Sequence, residues 1–412
     1  MREDPVRVRD IAIRRGDGWA ELSGAVRTPG ARSEAPLWFR VPAAFADALS
    51  DRADPFLAAM LPTAVASGRP LVIEGDVSER LLEQVGQQME IWNWQNPRWE
   101  PVPVEAARAW KGRHAGAAAG SFFSGGVDSF YTLLKNHDLE RGENRVSHVL
   151  CALGFDLDPD NEAMYGIVTA RLQQVADALG VTMLRLRTNM RTFTDRFAGW
   201  QYQQMGAGMA AAGLSLAPLL RRVLIPSGDT FLVSTIVAPS NPLTDPLWST
   251  DSTEFLHDGC EATRLQRIRR YVATSDLALR HLRVCFANVA SGSPTAWNCG
   301  RCPKCVRTQV LLHVAGALER CAAFDVRGLD IEAVRRLETD PRYSASHLEE
   351  ALAVLEREGR EPTLQDALRE ALLPSRRFRK RLEIFWKTDL LRPLRRGWRR
   401  VRRGRGAGRA RT

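Results

Sequence analysis

The amino-acid sequence predicts an α/β protein built around a parallel sheet that carries helices on both faces. From Ala115 to Ile225, short apolar runs alternate with stretches whose apolar residues recur at helical spacing. This alternation is typical of parallel strands joined by crossover helices. The length of 412 residues and the apolar content of 44% suffice for two or three domains with a sizeable core. The predicted strands are 117–123, 146–153, 181–186 and 223–225, and the predicted helices are 127–136, 161–179 and 200–220.

The first hundred residues predict a small α+β unit, which we place at residues 1–110. Apolar and charged residues alternate over 6–13, ahead of a Gly-Asp-Gly turn at 16–18. Residues 37–41 form a further apolar run of strand length, and residues 78–94 show the spacing of an amphipathic helix. No catalytic or metal-binding motif stands out in this unit.

A glycine-rich turn follows the first strand of the predicted parallel sheet and opens the next helix. Its two glycines let the backbone approach a ligand closely, and the helix N terminus offers free amides and a positive dipole that favour a phosphate. A carboxylate beside a phosphate is unusual unless it binds Mg²⁺ or orients another donor, so Asp128 indicates a metal–nucleotide ligand. The alternative is a plain glycine turn. The turn reads Ser124-Gly125-Gly126-Val127-Asp128-Ser129.

This motif resembles the PP-loop of N-type ATP pyrophosphatases, which include GMP synthetase, NAD synthetase and asparagine synthetase. The lysine-containing Walker A pattern is absent. The resemblance implies a doubly wound, HUP-like sheet of the adenine nucleotide alpha-hydrolase type, with ATP bound at the carboxyl ends of its strands and cleaved to AMP and pyrophosphate. It also implies that Ser124, Asp128 and Ser129 are catalytic. The loop residues expected to bind ATP with Mg²⁺ are Ser124, Gly125, Gly126, Val127, Asp128 and Ser129.

Two further carboxylates follow predicted strands, where doubly wound folds place ligand contacts. Asp156 comes after the second strand of the parallel sheet, and Asp229 comes after the fourth. We predict that they contact adenosine or Mg²⁺. The alternative for each is a solvated loop carboxylate.

A cysteine-rich segment, residues 299–305, contains two Cys-x-x-Cys steps that share their middle cysteine. Three thiolates on one turn are typical of a metal site, and tetrahedral structural zinc requires a fourth ligand. An iron–sulfur cluster is the other centre that the pattern allows, and three unrelated buried cysteines are the third interpretation. The predicted zinc ligands are Cys285, Cys299, Cys302 and Cys305, with His281, His313 and Cys321 as weaker candidates for the fourth position.

The order of the two motifs is similar to the layout of 7-cyano-7-deazaguanine synthase, a family in which four cysteines hold a zinc ion. The likeness covers residues 115–320, within which we place a PP-loop domain at 115–280 and a zinc knuckle at 281–321. It implies a C–N ligase that adenylates a carboxylate or carbonyl oxygen and passes the activated carbon to ammonia or an amine. We favour a paralogue acting on another carboxylate, and we allow for a homodimer.

Two other functions remain open at this point. One is thiolation of an adenylated tRNA base, in which the cysteines hold an iron–sulfur cluster. The other is a nucleotide-binding scaffold without turnover. A colourless zinc protein favours the ligase, whereas an iron chromophore favours the thiolation enzyme. Release of pyrophosphate on adding substrate excludes the scaffold.

The C-terminal part divides into a helical region, 322–375, and a basic tail, 376–412. The tail holds 16 basic and two acidic residues, so the remaining residues carry about −4 of the net charge of +10. Aromatic residues among its arginines suit an amphipathic segment at an anionic membrane surface. The same charges suit an RNA backbone, and a disordered solubilising tail is the third interpretation.

The rest of the composition argues against secretion and membrane insertion. The apolar runs fall short of the ~20 residues that a membrane-spanning helix needs, and the start of the chain has no signal-peptide pattern. Seven cysteines in such a chain suit metal binding better than a disulfide framework. We therefore expect a cytoplasmic protein, peripheral at the membrane if the tail binds there.

Overall fold

A mostly parallel sheet of ten strands is the central feature of the computed structural model, as the α/β prediction requires. The structure describes residues 4–157, 161–234, 239–285, 297–325, 328–338 and 345–374. The described residues form two compact units, one within residues 4–299 together with 319–325, and the other within residues 300–318 together with 328–374. Among the described residues, none of the helices combines the length and apolarity that crossing a membrane requires.

The strand order in the sheet is β10-β9-β6-β7-β8-β3-β2-β1-β4-β5. Neighbours are parallel except in the three pairs β8/β3, β3/β2 and β2/β1. The strands are β1 Val6–Gly16, β2 Trp19–Arg27, β3 Ala35–Pro42, β4 Leu71–Ser78, β5 Val104–Trp110, β6 Ala118–Phe122, β7 Val146–Leu153, β8 Thr182–Thr188, β9 Leu220–Pro226 and β10 Glu254–Asp258.

The described helices of the first unit are followed along the chain by four in the second unit. The first unit contains α1 Asp54–Ser67, α2 Glu79–Gln95, α3 Val127–Leu139, α4 Glu162–Leu179, α5 Met190–Thr194, α6 Met205–Leu214, α7 Phe231–Ser234, α8 Arg264–Arg267 and α9 Asp276–His281. The second contains α10 Pro303–Val314, α11 Ile331–Arg335, α12 Ala345–Glu358 and α13 Pro362–Ala371.

The five strands β6 to β10 form the parallel half of the sheet. The chain moves from β6 to β7 and β8 in one direction, then returns to place β9 and β10 on the other side of β6. In an open parallel sheet, such a reversal leaves a crevice at the carboxyl ends of the strands beside it, and ligands bind there. The glycine-rich turn lies at this point, directly after β6.

The N-terminal strands belong to the same sheet as the parallel half. We predicted residues 1–110 as a small α+β unit of their own, whereas β3 pairs with β8 through Phe39 with Thr188 and Arg40 with Arg187. The Asn189 side chain strengthens this seam, since it accepts from the amide of Trp38 at 2.9 Å and donates to the carbonyl of Pro36 at 2.8 Å. The local sequence carried no signal for this pairing because the two strands lie about 150 residues apart.

The predicted helix at 200–220 is shorter in the structure. A wide turn, Trp200–Gln204, leads into α6, and β9 already begins at Leu220. A buried helix and a buried strand are both continuously apolar, so periodicity could not divide this run. Glycines allow α6 to pack closely, because a Cβ at Gly208 would lie 2.6 Å from the ring of Trp200 and one at Gly213 would lie 2.8 Å from that of Phe255.

A buried ion pair joins β10 to the segment before it. The imidazole Nδ1 of His257 donates to Asp245 at 2.7 Å, and both side chains are almost fully buried. Burial alone would lower the pKa of His257, but the hydrogen bonds to Asp245 and Cys260 raise it to about 9. The imidazole is therefore charged in the folded protein at neutral pH.

We expect this pair to make stability depend on pH. Because the folded pKa exceeds the ordinary value of 6.5, the contribution is complete below pH 6.5 and is lost as the pH rises through 9. It should amount to about 3 kcal/mol. Urea unfolding at pH 6 and pH 10 measures this contribution. The free energy of unfolding should differ less between the two pH values in His257→Gln than in the wild type. An unchanged difference in that variant would contradict the assignment.

The second unit consists of short helices around a small apolar core. Leu348 and Leu355 of α12 are buried, as are Leu364 and Leu368 of α13. Arg360, between these two helices, donates to the carbonyl of Val314 at the end of α10 at 3.0 Å. A basic side chain at a helix C terminus satisfies a carbonyl that has no intrahelical donor.

Candidate functional site

The glycine-rich turn forms a tight connection between β6 and α3. Gly125 has a φ of +76°, which favours glycine, and a Cβ there would lie 2.9 Å from the side chain of Leu172 on α4. Gly126 is the residue before the first turn of α3, which begins at Val127. Gly125 is therefore required by backbone conformation and by close packing, whereas Gly126 has an ordinary φ of −78° and a Cβ there would lie 3.3 Å from the Ser124 hydroxyl.

The first turn of α3 presents unused amides. The first backbone bond of the helix runs from the amide of Phe130 to the carbonyl of Gly126, at 2.9 Å. The preceding amides, of Val127, Asp128 and Ser129, consequently have no acceptor within the helix. The Val127 side chain is buried, so this residue can offer a ligand its backbone only.

The two serines of the turn lie side by side. The hydroxyl of Ser129 donates to the carbonyl of Gly126 at 3.0 Å and lies 3.4 Å from the hydroxyl of Ser124. Ser124 is exposed, whereas Ser129 is buried. Ser124 is thus the hydroxyl that can reach a ligand, and Ser129 mainly holds the turn.

Asp128 is engaged by two arginines. Its carboxylate accepts from Arg264 at 2.6 Å and from Arg267 at 2.7 Å. Burial alone would raise the pKa of Asp128, but the two guanidinium groups outweigh it and lower the pKa. Of the two roles the sequence suggested for this carboxylate, a Mg²⁺ ligand or an anchor for other donors, the contacts favour the anchor.

Arg267 connects the turn to the loops that follow β9 and β10. Its side chain is only 1% exposed. Besides Asp128, it donates to the carbonyls of Ser227 at 2.6 Å, Asp229 at 2.8 Å and Gly259 at 2.7 Å. One buried guanidinium therefore fixes the carboxyl ends of three strands relative to one another.

The two predicted loop carboxylates lie on opposite sides of the turn. Asp229 is half-buried close to Arg264, and burial raises its pKa more than that arginine lowers it. Its carboxylate has no hydrogen bond or close ion pair with another described residue. Asp156 is exposed and accepts from the indole of Trp200 at 3.2 Å. Of the two, Asp229 is the carboxylate available to a cation.

Arg283 is a site residue that the sequence did not reveal. Its amide donates to the carbonyl of Gly125 at 2.7 Å, which attaches it to the turn. Its buried Nη2 atom has no hydrogen-bond partner among the described residues. Burial lowers the pKa of Arg283, while the carboxylate of Asp156 and the thiol of Cys151 act in the opposite direction. No local pattern distinguishes this arginine from the many others in the chain.

The four predicted metal ligands come together. The sulfur atoms of Cys285, Cys299, Cys302 and Cys305 all lie within 4.8 Å of one another. A tetrahedral ion with Zn–S bonds of 2.3 Å holds its sulfurs about 3.8 Å apart, so the four thiols are compatible with one zinc ion. The structure thus shows the proximity that the predicted ligand set requires, and the cluster does not include His281, His313 or Cys321.

Asn298 positions the first two cysteines. Its side-chain oxygen accepts from the amides of Val284 at 2.8 Å and Cys285 at 3.2 Å. Its side-chain nitrogen donates to the carbonyls of Leu282 at 2.8 Å and Ala323 at 2.9 Å. The buried side chain of Asn298, the residue before Cys299, thus holds the segment that leads to Cys285 in place.

Comparison with known proteins identifies no relative. No family model, curated protein or solved structure matches the chain. The basic tail, 376–412, with its predicted membrane or RNA contact, lies outside the described residues. Two features of the structure bear on function. One is the turn after β6, with its free amides, its exposed hydroxyl and the attached Arg283, and the other is the cysteine cluster.

Proposed function

We propose that the protein is an ATP-dependent adenylating enzyme that cleaves ATP to AMP and pyrophosphate. The observation that carries the proposal is the turn after β6. There, at the point where the strand order reverses, α3 begins with free amides and the amide of Arg283 donates to Gly125, while the Nη2 atom of Arg283 has no partner among the described residues. Helix N termini and arginines both favour phosphate oxygens. The PP-loop resemblance and the HUP-like assignment of the sheet belong to the same proposal.

Each residue around the turn would have its own role in the reaction. The amides of α3 and the hydroxyl of Ser124 donate to phosphate oxygens, and Arg283 stabilises the charge that develops on the leaving pyrophosphate. Asp128 holds Arg264 and Arg267 in place and so keeps the loops around the site closed on α3. Preorganised donors of this kind lower the barrier because they need no rearrangement during the reaction.

Two metals enter the proposal with different roles. Asp229 is the carboxylate suited to hold Mg²⁺, which would neutralise phosphate charge. The four clustered cysteines suit Zn²⁺, which supplies structural cross-linking rather than chemistry when all four ligands are protein thiolates. An iron–sulfur cluster needs room for several iron atoms between the thiolates, so the close spacing favours a single ion. This argues for the ligase over tRNA thiolation.

The acceptor of AMP is proposed as a carboxylate or carbonyl oxygen, attacked afterwards by ammonia or an amine. This class follows from the similarity to 7-cyano-7-deazaguanine synthase. No covalent enzyme nucleophile is required, because adenylation itself provides the leaving group.

We expect ATP turnover to yield AMP and pyrophosphate, and Ser124→Ala to reduce it about 100-fold, as expected when a donor to a developing charge is removed. The experiment offers ATP, Mg²⁺, ammonia and a panel of carboxylates, and separates the nucleotides chromatographically. Ser124 is exposed, so its variant should keep the wild-type melting temperature. Formation of ADP and phosphate would refute the assignment.

Arg283→Gln should weaken ATP binding about 10- to 100-fold, since a hydrogen bond to a charged group contributes roughly 1.5–3 kcal/mol. Calorimetric titration with ATP and Mg²⁺ measures the loss. Arg98→Gln, which removes an exposed arginine in the turn after α2, serves as the matched control and should bind as the wild type does. Equal affinities for the two variants would remove Arg283 from the site.

A further inference from the structure

A second candidate binding site lies at the seam between the two halves of the sheet. It is a cavity of about 290 Å³, which we call the arginine cavity. It shares no residue with the turn after β6 or with the cysteine cluster. Its lining residues are Asp17, Gly18, Trp19, Arg40, Val41, Pro42, Tyr165, Arg185 and Arg187.

The register of the strands places three arginines on one face of the sheet. Arg40 of β3 is the direct partner of Arg187 on β8, so the two side chains emerge on the same side. Arg185 lies two residues before Arg187 and, because side chains alternate along a strand, shares that face. Three guanidinium groups therefore line one small volume.

Their charges are only partly balanced. Arg40 is paired with Glu21 at 2.6 Å, and Arg187 is paired with Glu162. Arg185 donates to the amide oxygen of Gln173 at 3.2 Å and makes no ion pair with another described residue. Asp17 is an exposed residue in the turn between β1 and β2. Arg185 is thus the guanidinium available to an incoming anion.

Tyr165 of α4 supplies the second, independent observation. The residue is 8% exposed, and its hydroxyl has no hydrogen-bond partner among the described residues. Burial raises the pKa of Tyr165, while the nearby charges of Arg185 and Arg187 act against the rise. A buried hydroxyl without a partner costs free energy, roughly 1–3 kcal/mol. Tyr165 and Arg185 both line the cavity, and the charge of Arg185 acts on the Tyr165 hydroxyl.

Trp19, Val41 and Pro42 supply the apolar part of the cavity lining. The guanidinium of Arg40 stacks on the ring of Trp38 at 4.1 Å and lies 5.1 Å from that of Trp19. Val41 and Pro42 complete this side of the cavity. Small-molecule sites commonly combine an apolar wall with a few convergent polar groups. The volume admits a ligand the size of a single aromatic ring with one charged substituent.

We propose that the arginine cavity binds a small organic oxyanion, a carboxylate or a phosphate monoester, with an apolar body. The oxyanion accepts hydrogen bonds from Arg185 and from the hydroxyl of Tyr165, and the body packs against Trp19 and Pro42. The site is independent of the proposed ATP site, and its test does not use ATP.

Calorimetric titration of the full chain tests the proposal, with benzoate as the carboxylate probe, phenyl phosphate as the phosphate probe and benzyl alcohol as the neutral control. Benzoate or phenyl phosphate should bind saturably and benzyl alcohol should not. The tighter of the two charged probes identifies the ligand class. Absence of saturable binding by both would overturn the proposal.

Four variants locate the binding. Arg185→Gln should weaken benzoate binding at least tenfold and Tyr165→Phe about fivefold. Arg14→Gln, which removes an exposed arginine of β1, and Arg283→Gln, at the turn after β6, should bind benzoate as the wild type does. Tyr165→Phe should melt no lower than the wild type, since it removes a hydroxyl that has no protein partner. Wild-type affinity in Tyr165→Phe would show that the hydroxyl does not contact the bound anion and would overturn the assignment.

Discussion

Replacing Cys302 by serine is expected to release the bound metal and to lower the melting temperature by roughly 10 °C. Cys302 lies directly before α10 and contributes one of the four clustered sulfurs. A structural zinc ion binds folded protein in preference to unfolded protein, so its binding free energy becomes stability. Loss of several kcal/mol in a chain of this size corresponds to a shift of that order. Elemental analysis of the purified protein and a thermal melt provide the two measurements.

Cys321→Ala is the matched control for this experiment. Cys321 is also buried, but its thiol contacts the carbonyl of Leu279 at 3.3 Å and lies outside the cluster. We expect this variant to retain one zinc ion per chain and to lose about 1 kcal/mol. If the wild-type protein contains no metal, or if Cys302→Ser and Cys321→Ala have the same melting temperature, the cluster does not bind structural zinc.

Asp128→Ala is expected to abolish ATP turnover and also to cost about 3 kcal/mol in the free energy of unfolding. Its carboxylate is the only acid paired with Arg267 among the described residues, and that arginine is 1% exposed. Removing one partner of a buried pair leaves the other as an uncompensated charge, which is why the cost exceeds that of a surface pair. Since Asp128 is itself 25% exposed, we place the effect at the lower end of the usual range.

Urea unfolding of three proteins separates this effect from a general loss of charge. Asp47→Ala removes the acid of an exposed pair with Arg15 and should cost less than 1 kcal/mol. Asp128→Asn keeps an acceptor for the two arginines, so we expect an intermediate loss of stability together with poor turnover. A fully stable Asp128→Ala protein would show that Arg267 is satisfied by its three carbonyl acceptors alone.

The sequence was informative where function depends on neighbouring residues. The turn from Ser124 to Ser129 and the segment from Cys299 to Cys305 are local patterns, and the structure shows the glycine conformation and sulfur proximity that they imply. The fourth sulfur, from Cys285, could be named because few cysteines were available. The α/β class followed equally directly from the alternation of strands and helices.

The remaining site residues could not be found in this way. Arg264, Arg267 and Arg283 lie well over a hundred residues from the turn they support, and their roles depend on burial and on which carbonyls lie within reach. The short strands β5 and β10 were also not predicted from the sequence. They acquire strand structure by pairing with β4 and β9 rather than from a strong apolar pattern of their own.

The pairing of β3 with β8 has a practical consequence for dissecting the chain. Without residues 1–110, β8 would become the outermost strand of a five-stranded sheet, with unpaired amides and carbonyls facing solvent. Exposed edges of this kind recruit strands from other molecules and promote aggregation. In the intact chain the outermost strands are β5 and β10, of seven and five residues. The N-terminal strands thus shield the parallel half from self-association, and fragments for expression should retain them.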